Sequence, residues 1–136
     1  MNVNVQRMIY NAAAAAPVAV VTALFGGWDA LTMALAGLMA ADYLSGLIAA
    51  AIEGQLDSRV GWKGALRKAL MLLVIAAAAL ADTAAGLSGH PLRAAVCLYY
   101  IGNEGISLLE NLNRSGVPIP EVLAKHFTQM REKKEE

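Results

Sequence analysis

Four apolar blocks separated by short charged or glycine-rich gaps restrict what this chain can fold into. They cover residues 12–28, 30–52, 69–87 and 94–112. A helix needs about 20 mostly apolar residues to cross a bilayer, within a range of roughly 17–25. The last three blocks meet that length. The first is short, alanine-rich and carries Pro17, so it inserts weakly. The expected fold is an all-α integral membrane protein of four transmembrane helices in a compact helical hairpin bundle. If the first block stays out of the bilayer, three spans remain and the N-terminus lies outside. The expected division is a transmembrane domain over 1–112 and a charged cytoplasmic tail over 113–136.

A secretory leader is the competing reading of the start, with Arg7 before an alanine run. It is disfavoured because the apolar character continues directly into the second block. Phe25-Gly26-Gly27-Trp28 reads as a tight turn with Trp28 anchored at the interface, and Trp62 reads as a second anchor.

Basic residues set the orientation. With four spans, Arg7, the 53–68 loop (Arg59, Lys63, Arg67, Lys68) and the tail place ten basic residues on one side, leaving only Arg93 on the other. The positive-inside rule then puts both termini in the cytoplasm. Eleven basic residues balance eleven acidic ones, so no broad positive field exists for nucleic acid. The single Cys97 cannot form an intrachain disulfide. His90 and His126 have no companion at metal-ligand spacing. No phosphate-binding glycine loop and no nucleophile–base pattern is visible. No cofactor, no metal and no enzymatic activity are expected.

The anomalous residues are the acids inside the apolar blocks. A carboxylate at mid-bilayer costs on the order of 2.5–3.5 kcal/mol on insertion scales, so it turns toward protein or water. At 1.5 Å per residue, Asp42 lies roughly 18 Å into its span and Glu104 roughly 15 Å, on oppositely running helices. Their levels match. Asp82 lies about 21 Å from Lys68 and sits apart, nearer the outer face. Tyr100, Glu104, Ser107 and Asn111 share one helical face, flanked by Asn103 and Glu110. Gly37, Ala41, Ser45 and Ala49 form a small-residue ladder, with Gly46 beside it, which lets helices approach closely in lipid. The bland reading of these residues is packing and interhelical hydrogen bonding within one subunit. The sharper one is a subunit interface or an aqueous lumen, with a proton or ion relay as a third. The 121–136 segment reads as a short charged helix that frays into water, or as a handle for regulation or assembly.

Several runs carry a family resemblance. They are Asp42-Tyr43-Leu44-Ser45-Gly46, Ser58-Arg59-Val60-Gly61-Trp62-Lys63-Gly64, Arg67-Lys68 and Asp82. The most specific is Tyr99-Tyr100-Ile101-Gly102-Asn103-Glu104-Gly105-Ile106-Ser107-Leu108-Leu109-Glu110-Asn111, followed by Gly116-Val117-Pro118-Ile119-Pro120. In this order and spacing, over about residues 40–123, the chain resembles the small phage-lysis and toxin-secretion holins. The Ala-rich first block is less typical of them. The resemblance implies a bacterial cytoplasmic-membrane protein that accumulates, assembles with copies of itself and permeabilises the membrane. It further implies an endolysin or toxin as the released cargo, and an antiholin as a regulatory partner. A small ion or proton channel subunit, or a non-enzymatic membrane scaffold, are the alternative classes. Within the holin reading, Asp42, Asn103 and Glu104 are expected to satisfy one another before assembly and to face a neighbour or lumen after it.

Overall fold

The computed structural model describes residues 2–132; residues 133–136, with Lys133 and Lys134 of the tail, lie outside the described residues. The order is α1 (Val3–Phe25), α2 (Ala30–Ile52), α3 (Ser58–Ala84), α4 (Pro91–Arg114) and α5 (Glu121–Glu132), with no strand among the described residues. Two helices, α2 and α3, are long and apolar enough to cross a membrane by length and composition.

The helix ends follow from local chemistry. Asp29 caps α2 by accepting from the Thr32 amide at 2.9 Å, and Asp57 caps α3 by accepting from the Arg59 amide at 2.9 Å. Because Asp57 starts α3, that helix begins eleven residues before its apolar block, and Arg59 to Lys68 become helical. At the end of α2, Gly54 takes φ +69°, and the Gln55 amide bonds back to the Ala50 carbonyl at 2.8 Å. This αL closure satisfies carbonyls that the helix leaves orphaned. The same backbone pattern closes α3 and α4, with Leu87 on Asp82 and Val117 on Leu112. α1 runs unbroken through Pro17.

The arrangement differs from sequential hairpins in one respect. α4 packs against α2, α3 and α5, whereas α2 and α3 touch each other only sparsely. α1 rests mainly on α3. The core is one cluster of Leu35 and Met39 from α2, Met71 and Ile75 from α3, and Cys97 and Ile101 from α4. The outward faces are apolar: Leu44, Ile48 and Ile52 on α2, and Leu66, Leu70 and Leu73 on α3, are all exposed. In water such faces would be a liability. In lipid they meet a solvent as apolar as themselves, so burial supplies little drive to hold the helices together. Specific polar contacts then carry more of the packing.

Candidate functional site

Polar contacts hold α4 at two levels, above and below the apolar cluster. The lower level is an ionic node. Lys68 of α3 reaches between α2 and α4, pairing with Asp42 at 2.7 Å and with Glu104. Asn111 donates to the Asp42 carboxylate at 2.9 Å and to Ser45 Oγ at 3.2 Å. Ser45 in turn donates to the Asp42 carbonyl at 2.9 Å. Gly46 lies beside this contact, where a Cβ would stand 3.4 Å from the Asn111 amide nitrogen, at ordinary contact distance. With all three groups ionised, two carboxylates share one ammonium, so the node carries one excess negative charge.

The node forms the wall of a cavity of about 250 Å³ between α2, α3 and α4, lined also by Asn103, Ser107 and Arg67. Arg114 at its rim clamps Glu53 through two bonds, at 3.0 and 2.6 Å. That clamp holds the exposed Glu53 carboxyl below its ordinary range, through hydrogen bonding and charge from Arg114. A cavity walled by charges of both signs holds water or a hydrated ion in a way that lipid chains do not allow.

The upper level is built on Arg93, whose side chain is 4% exposed. It pairs with Asp29 and donates to Thr32 Oγ1 at 2.9 Å. Thr32 donates onward to Asp29 at 3.0 Å. Asp82, 1% exposed, accepts from the backbone amides of Leu92 at 3.1 Å and Arg93 at 2.8 Å. It caps α4 from a position on α3. Arg93, first read only as the one basic residue in its loop, is thus a structural pin.

Asp29 supplies a pH prediction. Its hydrogen bond to Arg93 holds its carboxyl well below the ordinary value of 3.8. A depressed carboxylate contributes stability that is present above its unfolded pKa and lost as pH falls through its folded one. The contribution should therefore stay constant from neutral pH down to about 4 and disappear only in stronger acid. Acid unfolding of the wild type and of Asp29→Asn tests this: their stability difference should hold above that range and close below it.

The expected residues divide clearly. Asp42 and Glu104 share a level and a site, with Asn111, and Asn103 and Ser107 line the same cavity. Tyr100 instead packs against the apolar cluster and meets Tyr99 edge-on at 5.4 Å. Asp82 stands apart at the upper level. On the small-residue ladder Ser45 and Ala49 are buried and Ala41 is half-buried, while a Cβ at Gly37 would meet nothing within 4 Å. Arg59 and Lys63 lie exposed along the first turns of α3, and Arg67 is exposed beside the cavity. The cation that joins Asp42 to Glu104 is Lys68, which the sequence places among the basic residues of the 53–68 loop. Its signal is its place eleven residues after the Asp57 cap, on a helix already started.

Residues 19–132 match the bacteriophage holin family. The chain therefore belongs to that family, whose members are non-enzymatic membrane proteins. Among its relatives, an uncharacterized protein of Listeria monocytogenes is 42% identical over 100 residues, covering 74% of this chain and 71% of its own. A 14.9 kDa protein encoded in the nagH 3' region of Clostridium perfringens is 37% identical over 113 residues, covering 83% and 86%. A protein of Bacillus phage phi105 named "Probable holin" is 44% identical over 82 residues, covering 60% of each chain. No solved structure matches.

Proposed function

We propose that this chain works as a holin: it collects in the bacterial cytoplasmic membrane, assembles with copies of itself and opens a lesion that lets an endolysin or toxin act beyond the membrane. In this reading α1 to α4 cross the bilayer, both termini are cytoplasmic, and residues 113–136 form the cytoplasmic tail. The phi105 relative's name supports the function class. The observation that carries the mechanism is the node of Asp42, Lys68 and Glu104 at the wall of a cavity inside an otherwise apolar bundle.

Before assembly the node is closed within one copy, each charge meeting an opposite one. That closure hides the charges from lipid and joins three helices. Assembly offers the same groups neighbours or water, where ionised carboxylates are tolerated. The node then has two arrangements, one closed within a copy and one open to a neighbour or water, and assembly shifts the population between them.

The test is expression in a bacterium with a co-expressed cell-wall hydrolase, scoring release of solutes of graded size. Release of folded protein, together with a shifted lysis time for Asp42→Asn and Glu104→Gln, is the expected result. Unchanged timing in both variants would sink the node mechanism. Selective ion current without protein release would mark a channel subunit instead, and no leak at all a scaffold.

A further inference from the structure

The tail reads as a charged segment, yet α5 folds back along α4. Two glycines make this possible. A Cβ on Gly102 would stand 2.8 Å from both the Arg131 amide nitrogen and the Phe127 carbonyl oxygen. At Gly105 the Phe127 ring itself fills the space a Cβ would need. Phe127 and Met130, at i and i+3, pack against the central apolar cluster. Among the described residues, the ion pairs join α2, α3, α4 and their caps, and none involves α5. α5 thus sits in a notch, anchored by two apolar side chains.

That position conflicts with a spanning α4. Gly102 is twelve residues from the end of α4 at Arg114, so α5 climbs roughly 18 Å along it. Its outward face carries Glu121, Lys125, His126, Gln129 and Glu132, all exposed. With α4 fully across the bilayer, that face would lie against hydrocarbon to nearly mid-depth, where charged groups are not tolerated. The exposed side of α2, and that of α3 from Ala69 to Leu80, is by contrast apolar. α5 docked and α4 fully inserted are therefore alternatives.

We propose that α5 is an autoinhibitory strap over a self-association face: while docked, it covers the Gly102–Gly105 notch of α4, and once it leaves, the notch takes a second copy of the chain. The notch already shows that it accepts a helix at closer than ordinary approach, and close approach at small residues is what associates helices in lipid. The Val117-Pro118-Ile119-Pro120 link, which belongs to no helix, lets α5 leave. The inference rests on the assembly reading above.

A cleavable bridge tests it. Ile106 of α4 and Thr128 of α5 line one cleft. Ile106→Cys and Thr128→Cys, in a Cys97→Ser chain, are joined by a disulfide-containing bismaleimide. The full chain is then placed in vesicles of phosphatidylethanolamine and phosphatidylglycerol. Amine crosslinking reads oligomers, and dye release reads leakage. The bridged chain should lose both the oligomer bands and the leakage, and reduction should restore them. Phe127→Ser, which bares the notch without changing any residue of α1–α4, should assemble at a lower protein-to-lipid ratio than wild type. A bridged chain that assembles and leaks like the unbridged one overturns the strap, as does an unchanged onset for Phe127→Ser. An unbridged wild type that neither crosslinks nor leaks overturns the assembly reading itself, and the strap with it.

Discussion

Lys68→Met should destabilise the folded chain by about 3–5 kcal/mol, the range seen when one partner of a buried pair is removed. The reason is asymmetric. Lys68 is one residue, but it is the counter-charge for both Asp42 and Glu104, whose side chains are 13% and 5% exposed. Without it two carboxylates from α2 and α4 face each other at one level, and their repulsion acts on the main helix pair of the bundle. Thermal unfolding in detergent measures the loss. A control separates charge from shape. Replacing the whole node with near-isosteres, Asp42→Asn, Lys68→Met and Glu104→Gln together, should return stability close to wild type, because no uncompensated charge remains. If the node also times assembly, that triple variant should be stable and yet mistimed. A triple variant as unstable as Lys68→Met alone would show that packing around Lys68, not its charge, holds the three helices.

The difference between what was legible in the sequence and what was not has a physical pattern. Features that depend on spacing along one helix were legible. Asp42 and Glu104 fall at one level because rise per residue is fixed, and Asn111 shares a face with Glu104 because the helical period is fixed. Membership of the holin family followed from the ordered runs around Asp42 and Tyr99–Asn111. Features that depend on which helix reaches across to which were not legible. Lys68 stands at the boundary of an apolar block, so composition assigns it to the membrane edge; only the α3 start at Ser58 and the packing of α4 between α2 and α3 aim it inward. That the 121–136 segment is helical was legible; its docking on α4 was hidden by its own charges, which dominate the composition of the segment. The matching marks were present as Gly102 and Gly105 on α4, and Phe127 and Met130 on α5, but each pair is uninformative until the other is placed against it.

Asp82→Ala should cost roughly 2–3 kcal/mol, more than an exposed cap does, because the Arg93 amide it satisfies is buried. Leu92 and Arg93 donate to it at 3.1 and 2.8 Å, and the Asp82 residue is 1% exposed. α4 begins awkwardly without that help: His90 sits in the left-handed region at φ 49° and makes no side-chain cap of its own. The start of α4 is thus assigned to a carboxylate nine positions earlier, on the helix it packs against. Asp82→Asn keeps an acceptor oxygen but loses the charge that strengthens both bonds, so it should fall between wild type and Asp82→Ala. Thermal midpoints rank the three, and amide hydrogen exchange locates the effect. Exchange should quicken at Leu92 and Arg93 first. The damage should also travel. The Arg93 amide on Asp82 and the Arg93 guanidinium on Asp29 belong to one residue, so freeing the backbone loosens the pair at the other end of the side chain. In the Asp82→Ala background, Asp29→Asn should therefore cost less at neutral pH than it does in the wild type. Equal costs in both backgrounds would mean that the two contacts of Arg93 act independently and that α4 is held at this level by its side chain alone.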